Sequence, residues 1–313
     1  MARRRGLPLP LLLSLLLLLT RVAGCGEGSI TSPTPQPGVV GAGVEAVLIG
    51  AGDIALCGSA ATEATARLLD GLPGTVITVG DNAYPSGSAN DFRDCYDPAW
   101  GRHKARTRPS PGNHDYEQPG ALPYFNYFGA NAGPSGLGYY RYRLGEWQIY
   151  SLNSNVPMDT SSSQGQWLRQ ELATNTSTCA LAYWHFPLFT SGPNGDNPAT
   201  RSLWRALNDF DADVVISAHD HLYERFAPQD PDGRPDAEHG IRQFIVGTGG
   251  TNLTSPVRVH ANSDVRWSVH GVLELVLRPN SYTWRFLSDT GVIADVGGGL
   301  CHDSRTLTPS ADP

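Results

Sequence analysis

Five short stretches of the chain carry side chains able to hold metal ions. They are Gly52-Asp53, Gly80-Asp81-Asn82-Ala83-Tyr84, Gly112-Asn113-His114, Tyr183-Trp184-His185 and Ala218-His219-Asp220-His221. The donors on offer are carboxylates, an amide oxygen, a phenol and imidazoles, a mixture suited to borderline-hard transition metals and not to a thiolate zinc site. One carboxylate can bridge two cations, and such a pair clamps the attacking and leaving oxygens of a displacement at phosphorus. A His-x-His pair on an extended segment carries both rings on one side, so each ring can reach a different metal. A lone histidine, or a lone Gly-Asp after a strand, is more often ordinary structure. Five such signals in one pattern are not.

The elements that must position these residues are legible from the spacing of apolar residues. Val44 to Ala51 reads as a strand, Ser59 to Leu69 as a helix capped by Ser59, and Thr75 to Val79 as a second, β-branched strand. Strand, helix and strand with short links make a βαβ unit and a parallel sheet, in which ligands gather at the carboxyl ends of the strands. Residues 88–105 read as helical. Pro109, Pro111 and Gly112 read as a rigid loop leading to Asn113. A hairpin is predicted over Tyr139–Leu144 and Trp147–Leu152, and helices over Gln164–Ala173 and Arg201–Phe210. Strands are predicted at Cys179–Trp184, Asp213–Ser217, Arg242–Val246, Gly271–Leu277, Tyr282–Leu287 and Val292–Val296. Each of the five ligand stretches therefore follows a strand or, at Asn113, a rigid loop.

The chain of 313 residues opens with Arg3, Arg4 and Arg5, then a leucine-rich run from Leu7 to Leu19. That run is too short to span a bilayer comfortably and has the layout of an export signal. It ends in Val22-Ala23-Gly24-Cys25, which resembles the bacterial lipobox, so residues 1–24 are expected to be removed and Cys25 to carry lipid. The alternative is plain cleavage and secretion. Residues 25–43, with Ser32-Pro33-Thr34-Pro35-Gln36-Pro37, read as a tether, residues 44–300 as the globular domain and 301–313 as a tail. The expected location is extracytoplasmic, on the outer face of a bacterial membrane, which the protein touches only through its lipid. Removing four arginines and no acids takes the formal charge from -7 to -11. An acidic surface argues against duplex nucleic acid as a partner. It leaves room for a small phosphorylated substrate held by metal. Four cysteines follow Cys25, and in an exported chain an even count suggests two disulfides. Cys57 and Cys95 both lie near predicted site loops and are paired here, leaving Cys179 with Cys301.

The five motifs resemble, in content and order, those of the calcineurin-like metallophosphoesterases, over roughly residues 45–290, and Tyr84 makes the set similar to the purple acid phosphatase branch. The resemblance implies an α/β fold of four layers, two mixed sheets packed together with helices outside. It implies a binuclear metal centre. Asp53, Asp81, Tyr84 and His221 would hold the first ion, and Asp81, Asn113, His185 and His219 the second, with Asp81 bridging. Many relatives have Gly-Asp-x-His in the first motif, where this chain has Ala55. Tyr84 fits as the substitute, which favours Fe(III) in the first site; Fe, Zn or Mn suits the second. The implied reaction is attack of a metal-bound hydroxide on a phosphoric monoester, with Asn113 and His114 beside the phosphoryl group and His114 stabilising it or protonating the leaving oxygen. Phosphodiester or nucleotide hydrolysis on the same centre is the alternative, and a non-catalytic surface-binding protein a further one.

Relatives of that branch often add histidines in the loop after the fourth motif. Residues 186–198 contain none, and Asn194, Asp196 and Asn197 are the polar candidates. Gly247-Thr248-Gly249-Gly250-Thr251 lacks the lysine of a P-loop and reads as a turn near the site, and no Gly-x-Ser-x-Gly elbow supplies a serine nucleophile. Asp115, adjacent to His114, is expected to point away from it. His103, His239, His260, His270 and His302 lack partner spacing and read as structural or exposed. Tyr124, Phe125, Tyr127 and Phe128 read as a packed aromatic cluster.

Overall fold

The computed structural model describes residues 45–302. The export segment, Cys25 and the tether, and residues 303–313, lie outside the described residues. No described helix is long and apolar enough to cross a membrane.

Among the described residues, thirteen strands form two sheets. In chain order they are β1 (Ala46–Ala51), β2 (Thr75–Val79), β3 (Thr107–Ser110), β4 (Tyr140–Leu144), β5 (Trp147–Ser151), β6 (Cys179–Tyr183), β7 (Val214–Ser217), β8 (Tyr223–Phe226), β9 (Arg242–Val246), β10 (Ser263–Trp267), β11 (Gly271–Arg278), β12 (Ser281–Ser288) and β13 (Ile293–Leu300). The first sheet runs β13-β12-β11-β1-β2-β3 and the second β10-β8-β9-β7-β6-β5-β4. Both are mixed. β1, β2 and β3 are parallel, and so are β5, β6, β7 and β9. The parallel strands are almost wholly buried, which is why their sequences are continuous apolar runs such as Val76-Ile77-Thr78-Val79.

The core fills the space between the sheets. Tyr223 of β8 stacks on Phe286 of β12 at 4.1 Å, and Phe244 of β9 meets Trp284 of β12 edge-on at 5.5 Å. Helices cover the outer faces. Over the second sheet, Leu168 and Leu172 from Ser163–Ala173 and Leu203, Trp204 and Leu207 from Arg201–Asn208 form a second cluster with Ala180, Ala182 and Val215. The helix Ala60–Asp70 lies against β11. This is the four-layer α/β arrangement the motifs imply.

Several local expectations are corrected. Ser59 precedes the first helix, but its hydroxyl donates to the Gly250 carbonyl instead of capping a helix amide. Residues 88–105 are not one helix. Proline at position 98 cannot continue the ladder, and the segment divides into a turn at Ala89–Asp91, a π-turn at Phe92–Tyr96 and a 3-10 stretch at Trp100–Arg106. The rigid loop before Asn113 contains β3, tolerated with Pro109 because β3 is an edge strand. Both disulfides form as paired, Cys57–Cys95 and Cys179–Cys301. The second, together with the His302 amide donating to Asp213, holds residues 301 and 302 beside β6 and β7.

The Cys179–Cys301 bond ties β6 to the end of β13 across 122 residues of sequence. Closing so long a loop constrains the unfolded chain strongly. Replacing both cysteines by alanine is expected to cost roughly 2–5 kcal/mol, read as a lowered Tm. An unchanged Tm would show that the bond contributes nothing to stability.

Candidate metal centre

All five ligand stretches lie at the carboxyl ends of parallel strands. Asp53 follows β1, Asp81 and Tyr84 follow β2, Asn113 and His114 follow β3, His185 follows β6, and His219 and His221 follow β7. Three of these residues, Asp53, Asp81 and His219, sit at positive φ, at 57°, 49° and 70°. Non-glycine residues are seldom found there. The turn aims each side chain into the crevice between the sheets. His219 and His221 are consequently not on the extended segment expected from their spacing; they nevertheless reach different groups of donors.

Two groups of donor atoms share one oxygen. In the first, the Tyr84 hydroxyl donates to Asp53 Oδ1 (2.8 Å) and lies 3.1 Å from Asp81 Oδ2 and 3.4 Å from His221 Nε2. His221 Nε2 is 3.3 Å from Asp53 Oδ1. In the second, His185 Nε2 lies 3.2 Å from Asp81 Oδ2 and 3.1 Å from Asn113 Oδ1. Asp81, His185 and His219 each offer a ligand atom within 4.8 Å of the others. Asp81 Oδ2 therefore faces both groups. The remaining carboxylate oxygens are occupied by backbone amides: Asp81 Oδ1 accepts from His114 N and Asp53 Oδ2 from His219 N, each at 2.8 Å.

The outer hydrogen bonds fix the imidazoles for coordination. His185 Nδ1 faces the Val79 carbonyl at 2.9 Å, and His221 Nδ1 faces the Asn252 carbonyl at 2.7 Å. A ring that donates from Nδ1 presents Nε2 inward, the usual outer support of a metal-bound histidine. Asp115 does point away from His114. It accepts from the backbone amides of Gly112 and Asn82 and from the Asn82 side chain, clasping the second motif to the third. The glycine-rich turn is close to the site as expected, with Gly249 N donating to Gly52 O and Thr251 N to Asp53 O. Gly112 has no alternative, because a Cβ there would stand 2.1 Å from Asp81 Oδ1.

Without a cation the cluster is held by its own charges. Burial raises the proton affinity of Asp53, but His221, His185 and His219 overcome it and hold the carboxyl well below its ordinary range. Burial opposes the charged forms of His185 and His221, yet Asp81 and Asp53 lift both to about 9. Burial and the neighbouring His185 hold His219 at about 4. Burial, then Asp53 and Asp81, push the Tyr84 phenol far above its usual value. Donors this buried, this close and aimed inward from fixed tautomers fit metal ions.

Among the expected polar candidates only Asn194 comes near, its amide donating to the His219 carbonyl. Asp196 pairs with Arg258, and Asn197 caps the turn Pro198–Thr200. Tyr124, Phe125 and Phe128 are a packed cluster, with Tyr127 half-buried beside it. Two neighbours escape a reading of the motifs. Glu117 Oε1 is 3.1 Å from His114 Nδ1, and the Phe186 ring lies edge-on to His219 at 4.5 Å. The three-residue spacing of Glu117 from His114 in a tight turn was the available signal for the first. For the second, adjacency to His185 was.

A family model described as calcineurin-like phosphoesterase matches residues 47–223, more than half of the chain. The chain belongs to the calcineurin-like phosphoesterase family. Membership implies divalent metal ions, and Asp81, His185 and His219 form one candidate ligand group for them. Uncharacterized proteins from two Mycobacterium tuberculosis strains are 26% identical to it over 199 residues, covering 58% of this chain and 34% of theirs. The chain thus spans about a third of the length of these curated relatives. A purple acid phosphatase from yellow lupin seeds shares the fold at a TM-score of 0.71 and 16% identity, over 85% of this chain and 55% of that one. GAP50, the anchor in the inner membrane complex of Plasmodium, does so at 0.65 and 13%, over 84% and 91%. PhoD does so at 0.58 and 11%, over 85% and 72%.

Because His185 and His221 stay protonated to about pH 9 in the metal-free protein, metal must displace protons. Their raised values stabilise the metal-free fold below the ordinary histidine value of 6.5, and that contribution disappears as pH rises through 9. Metal affinity is therefore expected to climb from pH 6.5 towards 9, with proton release visible by calorimetry in buffers of different ionisation enthalpy. A flat affinity over that range would contradict this protonation pattern. Separately, Gly112→Ala should abolish metal retention, measured by elemental analysis, while the far-ultraviolet circular dichroism stays native.

Proposed function

We propose that this protein is a binuclear metal-dependent phosphoric monoester hydrolase of the purple acid phosphatase type. One observation carries the reading: donors from five strand ends converge as two groups sharing Asp81 Oδ2. In this reading Asp53, Asp81, Tyr84 and His221 hold one ion, and Asp81, Asn113, His185 and His219 the other. The ions supply Lewis acidity that polarises phosphoryl oxygens and acidifies water.

The protein's own groups do the rest. Asp81 sets the spacing of the two groups, and its fixed Oδ1–amide bond keeps the carboxylate from rotating. His114 stands at the mouth, its Nε2 3.8 Å from Asp81 Oδ2 and its Nδ1 held by the Pro85 carbonyl and Glu117. Nε2 is then the atom that can bind a phosphoryl oxygen or hand a proton to the leaving alkoxide. Burial and the neighbouring Asp53 and Asp81 oppose ionisation of the Tyr84 phenol, so only a highly charged cation would displace its proton to solvent, which favours Fe(III) beside it. Fe, Zn or Mn suits the second position. The complete donor set speaks against a non-catalytic binding protein. Lipid anchoring through Cys25 would place the site outside the cytoplasm, in keeping with the two disulfides.

Elemental analysis should find two ions per chain, iron among them, with a broad visible absorption band that disappears in Tyr84→Phe. A colourless protein with two Zn or Mn ions would remove Tyr84 from the first site and place diesters level with monoesters as substrates. His114→Ala should retain the metals. It should lose about 10²–10⁴-fold in kcat on an alkyl phosphate, the usual worth of a positioned acid, and far less on an aryl phosphate with a good leaving group. Equal losses on both would deny His114 its proton-transfer role.

A further inference from the structure

Phe186 stands directly after His185, at the head of the loop that leaves β6. Its backbone is held from both sides. The amide donates to Ser154 Oγ (3.1 Å), and the carbonyl accepts from Nε1 of the fully buried Trp184 (2.7 Å). Pro187 fixes the next φ. The ring carried on this frame lies 4.5 Å from the His219 ring and 5.3 Å from the His185 ring, and those two imidazoles are 5.0 Å apart. His185 is fully buried, whereas Phe186 and His219 are both partly exposed. The Phe186 ring therefore packs on one donor and shares the opening of the crevice with the other.

The rest of that loop leaves a substrate little else to touch. Residues 186–198 include no lysine, arginine or histidine. Their polar side chains are engaged: Thr190 Oγ1 donates to Asp220, Ser191 Oγ to Glu224 and the Asn194 amide to the His219 carbonyl, while Asp196 pairs with Arg258 and Asn197 caps the next turn. On the other side, His114 is joined to Asn113, whose Oδ1 meets His185 Nε2 at 3.1 Å. His114 and Phe186 thus flank the same donor group, one polar and one apolar.

We propose that Phe186 is a specificity-determining residue, the wall against which the organic part of the substrate lies, and that it selects phosphomonoesters of phenols. This rests on the reading of the metal centre given above. An ester oxygen that takes a proton from His114 Nε2 leaves beside this donor group, so a ring attached directly to that oxygen comes against Phe186. Paired aromatic rings gain more than the burial of their area alone provides. An aromatic base carried on a sugar stands several bonds further out and passes a ring that sits one imidazole from the donors.

Benzylphosphonate, in which a methylene replaces the ester oxygen of phenyl phosphate, and its saturated analogue cyclohexylmethylphosphonate test this by titration calorimetry on the metal-loaded protein. The wild type should bind the aromatic ligand roughly fivefold tighter than the saturated one, the ordinary worth of an aromatic pair. Phe186→Leu should keep its metals by elemental analysis and bring that ratio to about one, and Phe186→Tyr should restore it. The ratio is the readout because loss of a ring that only packs the crevice weakens both ligands alike. A wild type that binds inorganic phosphate but shows no such preference, or a preference that survives in Phe186→Leu, would overturn the proposal and leave the metal centre as read. Adenosine monophosphate bound more tightly than benzylphosphonate, with the gain lost in Phe186→Leu, would also overturn it, assigning the wall to a nucleobase. A metal-loaded protein that binds neither phosphonate nor inorganic phosphate would overturn both readings.

Discussion

Two carboxylates, Asp53 and Asp81, are almost wholly removed from solvent, and the rest of the structure is arranged around that cost. Burying an unpaired carboxylate is prohibitive. Here each has one oxygen fixed by a backbone amide and the other left facing imidazoles and a phenol. The amides come from His114 and His219, residues of the motifs themselves, so the loops that carry the outer donors also orient the inner ones. Moving one loop would therefore disturb several donors together.

The parallel strands explain how such a cluster can be assembled. β1, β2 and β3 end on one side of the crevice and β6 and β7 on the other, so five loops meet with little backbone between strand and ligand. The left-handed turns at Asp53, Asp81 and His219 are the local expense of this convergence. The outer carbonyls of Val79 and Asn252 and the clasp by Asp115 then hold the rings and loops in place.

Much of the fold was legible because buried parallel strands must be apolar along their whole length. Thr75–Val79 and Arg242–Val246 were read to the residue. The strands that escaped are those whose polar residues find distant partners. β8 is Tyr223-Glu224-Arg225-Phe226, and Glu224 is tolerated inside because Ser191 and Ser263 donate to it. Nothing within the segment announces that. β3 was hidden by Pro109, which is acceptable only at an edge, and edge position is a property of the whole sheet. In the site, the candidate ligands were legible from residue type and their place after strands, and the structure brings all seven together. What holds them was not, since carbonyls such as Val79 and Asn252 leave no mark in a sequence. Glu117 and Phe186 were overlooked for a different reason, as each contributes through a contact and not through a motif.

The order of strands in the first sheet carries one more consequence. β1, at the start of the domain, pairs on one side with β11, Ala46 lying opposite Leu277. Asp53 likewise meets His221 only after most of the domain has been synthesised. Contacts this distant in sequence form slowly, because chain entropy must be lost before they contribute. The donors of the amino-terminal half thus emerge long before the strands that complete their surroundings. The crevice therefore cannot be complete until β7 and the histidines that follow it have been made and have paired with the earlier strands.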